Sequence, residues 1–231
     1  MAPRFALYTA PTADDPLHDW AAEWLGRDPE SGEDFPPAPA AGLAPARIAD
    51  LTADPRLYGF HGTLKPPFRL ADGCDEAQLI MALEQFTASR APVKAPPLKA
   101  AALGSFLALR PSAPCPALEA LAADCVMRFD RFRAPLSEGE LAKRRKSPLT
   151  DRQEQYLQAW GYPYVLEEFR LHFTLTGTIR DEVERAALLQ YLAAETAPLT
   201  KKDYAAEEIC LFVQPQPDEA FRIAGRYRFT G

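Results

Sequence analysis

His61-Gly62-Thr63-Leu64 and His172-Phe173-Thr174-Leu175 repeat one frame, His-x-Thr-Leu, on either side of the middle of the chain. The 231 residues include three histidines, and two of them fall in this frame. The copies are separated by nearly half the sequence. That spacing predicts two structurally similar halves, each presenting one histidine and one threonine to a shared cleft. Side chains alternate across a β-strand, so His61 and Thr63 share one face while Gly62 and Leu64 take the other. The same alternation sets His172 and Thr174 against Phe173 and Leu175. It also predicts Lys65 on the first cleft face, and Arg170 and Thr176 on the second.

The sequence around the motifs predicts an alternation of strands and helices. Residues 4–10 read as a strand, with Phe5, Leu7 and Thr9 alternating with Ala6 and Tyr8. Residues 16–25 read as a helix capped by Asp14 or Asp15, with Trp20, Trp24 and Leu25 on one face. Prolines 36, 37, 39 and 45 predict an extended surface segment over 32–45. Residues 58–70 read as the first motif strand, running into the Pro66-Pro67 break. Leu79, Ile80, Leu83 and Phe86 form the stripe of an amphipathic helix over 76–88. A strand over 101–110 and a helix over 116–129 follow. Residues 150–160 read as a helix capped by Thr150 or Asp151. Residues 169–179 read as the second motif strand. Residues 181–195 read as a helix with Val183, Ala187, Leu188, Tyr191 and Leu192 inward, and two strands over 208–213 and 220–229 close the chain.

The motif residues suit phosphate chemistry. Histidine has an unperturbed pKa near neutrality, so two imidazoles across one phosphate can act in opposite protonation states, one as base and one as acid. Threonine hydroxyls, with Lys65, would bind the non-bridging oxygens where negative charge concentrates.

Bulk composition narrows the partners. Hydrophobic residues at 47% and charged residues at 25% describe an ordinary globular chain. A net charge of −6 disfavours a long nucleic-acid footprint but leaves room for a small phosphorylated substrate in a locally basic cleft. Cys74, Cys115, Cys125 and Cys210 show neither a C-x-x-C pair nor zinc-ligand spacing, which predicts reduced thiols in a cytoplasmic protein with no metal. No signal-peptide pattern and no apolar run of membrane-spanning length is present, so no membrane partner is expected. No cofactor is expected either: there is no Gly-rich phosphate loop and no serine-hydrolase elbow.

Other residues offer secondary contacts. Lys143-Arg144-Arg145-Lys146 is the strongest basic cluster. It reads either as a loop holding substrate phosphate, through Arg144, Arg145 and Lys146, or as a solvated helix end favoured by the helix dipole. Tyr8 either stacks on a substrate base or sugar or simply packs. Tyr162 and Tyr164, in Gly161-Tyr162-Pro163-Tyr164, could wall the cleft. His18 reads as a surface helix residue.

The stretches Tyr58-Gly59-Phe60-His61-Gly62-Thr63-Leu64-Lys65-Pro66-Pro67-Phe68 and Phe169-Arg170-Leu171-His172-Phe173-Thr174-Leu175-Thr176-Gly177 resemble the 2H phosphoesterase superfamily, named for two such His-x-Thr motifs. With Arg4-Phe5-Ala6-Leu7-Tyr8-Thr9-Ala10-Pro11 and Trp24-Leu25-Gly26-Arg27-Asp28-Pro29-Glu30-Ser31-Gly32, they are similar to a bacterial, DUF1045-like branch often encoded beside phosphonate-utilisation genes. The resemblance implies an α+β, bilobal, pseudo-two-fold fold in which two antiparallel sheets line a central cleft with helices outside. The expectation is a single bilobal domain over 1–231, with lobes near 1–115 and 116–231. The resemblance also implies a metal-independent phosphodiesterase acting on a cyclic phosphate or related diester. His61 and His172 map to the acid/base pair, and Thr63 and Thr174 to the phosphate ligands. The alternatives are a non-catalytic nucleotide or phosphometabolite binder and an RNA-end processing enzyme.

Overall fold

The computed structural model describes residues 2–231. Among them run nine strands and seven α-helices. Strand β1 (Arg4–Thr9) is nearly all buried and sits inside a seven-stranded sheet. One side of β1 pairs with β2 (Gly62–Phe68), the other with β8 (Glu208–Gln214), both antiparallel. The full order is β4 (Leu98–Leu103), β5 (Phe106–Pro111), β6 (Phe173–Thr174), β2, β1, β8 and β9 (Arg222–Arg228). Strands β3 (Val93–Ala95) and β7 (Tyr204–Ala206) form a separate two-stranded ladder.

The period-2 pattern of β1 assigns the faces of the sheet. Phe5 and Leu7 join the main core with helices α1 (Pro16–Leu25), α3 (Glu76–Ala88), α4 (Pro116–Phe129) and α7 (Glu182–Thr196). Ala6 and Tyr8 face the other way, into a smaller cluster with Ala10, Cys210, Phe212 and Phe221. The cleft opens on this second, thinly covered face. Local sequence explains the helix ends. Asp15 accepts from the Leu17 amide, Asp75 and Thr150 form capping boxes, and Gly26 and Gly161 close α1 and α6 (Asp151–Trp160) in the left-handed region.

Several expectations are corrected here. The α+β class with antiparallel pairing stands, but the cleft is not lined by two sheets. Both motif strands are hydrogen-bonded neighbours in one sheet, and the β3–β7 ladder takes no part in the cleft. The second motif strand is two residues long rather than spanning 169–179. The strand expected over 101–110 is a hairpin, because Gly104 (φ 60°) turns the chain between β4 and β5. Residues 45–58 form a helix, α2 (Pro45–Tyr58), with Pro45 at its first position, where a missing amide costs nothing. On α7 the inward set is Leu188, Leu192 and Thr196, while Val183 is 80% exposed beside the N-cap.

Candidate functional site

Gly62 pairs with Phe173 across the antiparallel β2–β6 step. Continuing that register one residue each way sets His61 opposite Thr174 and Thr63 opposite His172. The four side chains then mark the corners of a square, with the two imidazoles on one diagonal. All four line one cleft of about 350 Å³, within the size range of small-molecule sites.

Gly62 makes this close pairing possible. A Cβ there would lie 2.7 Å from Leu171 Cδ1, 3.0 Å from Thr9 Cγ2 and 3.1 Å from Phe173 Cζ. The residue faces away from the cleft, as expected, but into a fully packed wall. Gly59 shapes the approach to His61. Its φ of 73° and a Cβ position 2.6 Å from Pro29 both require glycine.

The two imidazoles are held the same way. His61 Nδ1 lies 2.9 Å from the Gly59 carbonyl, and His172 Nδ1 lies 2.8 Å from the Arg170 carbonyl. A carbonyl only accepts, so each Nδ1 carries the proton and each neutral ring leaves its Nε2 lone pair free. The surroundings of the rings differ. His61 stacks on Tyr8 at 3.7 Å and lies near Tyr58 and Phe212. Burial drives its pKa down to about 4; the Gly59 carbonyl opposes this and His172 adds to it. His61 is therefore neutral at pH 7. His172 has one aromatic neighbour, Phe106, at 5.7 Å. The Trp24 indole Nε1 donates to the Leu175 carbonyl at 2.9 Å, tying α1 to the second motif.

The threonines also fall into two kinds. Thr9, Thr52, Thr176 and Thr196 spend their hydroxyls on protein partners. Among the described residues, the Thr63 and Thr174 hydroxyls have no hydrogen-bond partner, and both stand partly exposed in the cleft. Thr176 borders the cleft, but its oxygen accepts from the Leu107 amide and donates to the Gly177 carbonyl. It holds β5 in place and has no hydroxyl hydrogen left for a ligand.

Other expected contacts separate clearly. Tyr8, Arg144 and Tyr162 line the cleft, with the Arg144 guanidinium 4.7 Å above the Tyr162 ring. Tyr8 is 1% exposed, so it supports His61 from below rather than offering a free face for stacking. Lys65 is not in the cleft. Tyr8 pairs with Thr63 but Leu7 pairs with Lys65, so Leu64 is an extra residue in a β-bulge. The bulge turns Lys65 to the side of Leu7 and the main core. Its ammonium donates to the Val126 carbonyl at 3.2 Å and to Asp130 at 3.1 Å. Burial lowers its pKa and Asp130 opposes the shift. Arg170 also turns away, because residues 170–172 are not strand and its guanidinium folds back onto the Glu167 and Phe169 carbonyls. Arg145 pairs with Glu154 outside the cleft, and Lys146 is exposed beyond it. His18 lies 3.4 Å from Asp28, remote from the motifs and largely covered.

Two cleft residues were missed by sequence reasoning, and only the first follows from strand alternation. Arg4 shares a β1 face with Tyr8 and lines the cleft. Tyr58 reaches it from the end of the unforeseen helix α2. No cluster of three or more His, Cys, Asp or Glu side chains suited to a metal ion occurs among the described residues. No helix among them is long and apolar enough to cross a membrane.

The family described as "Protein of unknown function (DUF1045)" matches residues 63–222. The chain belongs to this family. Among its curated relatives is "Ribose 1,5-bisphosphate phosphokinase PhnN" of Janthinobacterium sp. (strain Marseille), 43% identical over 99% of this chain and 51% of that protein. The protein of the same name from Laribacter hongkongensis (strain HLHK9) is 34% identical over 95% of this chain and 50% of its own length. The chain thus spans about half the length of these curated relatives. The DUF1045 match and the PhnN names agree with the phosphonate-associated branch. They overturn the reading as a cyclic phosphodiesterase and hydrolase: both relatives are named as phosphokinases, which transfer a phosphoryl group rather than hydrolyse a diester. The non-catalytic binder and the RNA-end enzyme do not match those names either.

Proposed function

We propose that this chain is the sugar-phosphate side of a phosphoryl-transfer enzyme of phosphonate utilisation, with ribose 1,5-bisphosphate as the candidate substrate. The observation that carries this reading is the square of His61, Thr63, His172 and Thr174 in one cleft sized for a small molecule. The substrate class comes from the names of the two relatives. The superfamily resemblance enters at the level of the paired motifs, not of hydrolytic chemistry.

The chemistry follows from the protonation states. A phosphate monoester loses its second proton near pH 6, so part of it carries an O–H at neutral pH. The negative charge of that phosphate favours the imidazolium and opposes the burial that keeps the free ring neutral. His61 therefore accepts the proton at Nε2, and the ionised oxygen attacks the donor phosphorus as the donor's diphosphate leaves. The Thr63 and Thr174 hydroxyls hold the remaining oxygens of the same phosphate. His172 at the opposite corner hydrogen-bonds the phosphate through Nε2 when protonated. Phosphoryl transfer depends mainly on positioning and charge stabilisation, which such a cradle supplies. The sequence has no G-x-x-x-x-G-K-[S/T] loop for a nucleotide. The donor site of the named kinases therefore belongs, in this reading, to the half of those proteins that this chain does not match.

Calorimetric titration with ribose 1,5-bisphosphate tests the substrate. ADP release is then followed with ATP and the separately expressed remaining half of the Janthinobacterium relative. Binding, together with ADP release that depends on both pieces, supports the reading. No binding of the sugar bisphosphate at millimolar concentration rules it out.

A further inference from the structure

Two cations in the cleft stand apart from the square. Arg4 comes from β1, two alternations before Tyr8, and Arg144 ends the short helix α5 (Glu138–Arg144). Each guanidinium is held by groups that leave its N–H edge unused. Arg4 Nε donates to Gln214 Oε1 at 2.6 Å, and its Cζ lies 5.3 Å from the Phe221 ring centre. Arg144 stacks at 4.7 Å over Tyr162. Among the described residues, neither arginine forms an ion pair, although ten of the seventeen other arginines do. Glu140, an acid close enough for Arg4 to lower its pKa, is already engaged by Arg69 and Ser137. Asp54 is the one carboxylate on the cleft lining, on the α2 side.

Both arginines also bear on the same buried group. Burial raises the pKa of the Tyr8 hydroxyl, and Arg4 and Arg144 each oppose that rise, which places both near the Tyr8 end of the cleft. The same ring lies under His61. A ligand phosphate held by the His/Thr square would therefore have a second pair of cations on the lining of the same cleft. Arginine forks oriented by an aromatic face and free at their edges match the oxygens of a phosphate in bidentate fashion.

We propose that Arg4 and Arg144 form a second anion subsite, which takes the distal phosphoryl group of a bisphosphorylated substrate and makes the cleft selective for two phosphates over one. The proposal rests on the phosphate-binding reading of the square and extends it from one phosphate to two. Arg145, adjacent in sequence, pairs with Glu154 outside the cleft and takes no part.

Two probe pairs test it by calorimetry: ribose 1,5-bisphosphate against ribose 5-phosphate, and the sugar-free pentane-1,5-diol bisphosphate against pentyl phosphate. The wild-type chain should favour the bisphosphate of each pair by about tenfold or more, the scale of one charge-assisted fork. Arg4→Gln and Arg144→Gln should each bring that ratio below about threefold, whereas Arg145→Gln should leave it unchanged. Selectivity for the pentane bisphosphate alone, lost in both variants, keeps the subsite and removes ribose as the substrate. Absence of selectivity in the wild type, or selectivity that survives both Arg4→Gln and Arg144→Gln, overturns the subsite. Circular dichroism of each variant separates a lost contact from a lost fold.

Discussion

The two His-x-Thr motifs share a backbone device and differ in everything around it. Both histidines donate Nδ1–H to the carbonyl two residues back, and continuing the Gly62–Phe173 register sets each threonine opposite the other motif's histidine. The first motif is embedded: its strand is seven residues long, its ring is stacked on Tyr8, and a bulge anchors the next residue to Asp130. The second rests on a two-residue strand, with one aromatic neighbour and a tie from Trp24 to Leu175. Equivalent chemistry is thus mounted on unequal scaffolds. The consequence is that the first histidine should matter to both folding and function, and the second mainly to function.

Replacing either histidine puts that difference to the strongest test. His61→Ala and His172→Ala should each lower phosphoryl transfer by about 10²–10⁴-fold, the usual worth of a proton-transferring side chain. Only His61→Ala should also lose stability, by about 1–2 kcal/mol, through the lost stacking and hydrogen bond. Urea unfolding of both variants checks this, and equal losses would erase the proposed inequality. Next in size is the anchor behind the first motif. Asp130→Ala strands Lys65, which is 1% exposed, and should cost about 3 kcal/mol, as expected on removing one partner of a buried ion pair. Bisphosphate affinity of the folded fraction should stay unchanged.

Acid gives the same comparison another reading. His61 has its pKa lowered from 6.5 to about 4. Between those values the unfolded chain binds a proton that the folded chain does not. Stability is therefore full above the upper value and falls as pH drops, by up to about 1.4 kcal/mol per unit. His61→Gln should flatten this slope in a stability–pH series. Gly62→Ala should cost about 1–3 kcal/mol by forcing a methyl against Leu171, Thr9 and Phe173, and thermal melts would register it. The smallest effects belong to the hydroxyls. Thr63→Val and Thr174→Val should each weaken phosphate binding by about five- to tenfold, near the worth of one hydrogen bond, in the same titration.

What the sequence disclosed depended on whether a rule is local. Helix α3 and the caps Asp15 and Thr150 follow from stripe and capping residues within a few positions, and they fall where expected. The placement of His61, Thr63, His172 and Thr174 on one cleft follows from the repeated frame together with strand alternation. Lys65 failed because alternation presumes an unbroken ladder, and the bulge at Leu64 is a property of pairing with β1 that the motif does not encode. Arg170 failed because the chain before Phe173 is not strand, although its composition suits one. Arg4 was legible by the same rule that found Tyr8 and was passed over for lack of a neighbouring motif. The direct pairing of the motif strands was hidden because its cause, the missing Cβ of Gly62, acts only against side chains distant in sequence.

That β2–β6 pairing also bears on how the molecule is made. The one register that aligns the motifs joins Gly62 to Phe173, so most of the chain must leave the ribosome before the square can exist. β1 and β2 emerge early, but their partners β6 and β8 come late. Long-range closures of this kind slow folding and leave an early strand edge waiting unpaired. During synthesis, Gly62 and its neighbours would thus offer an open β-edge to solvent and chaperones, and the cleft should be among the last features of the nascent protein to mature.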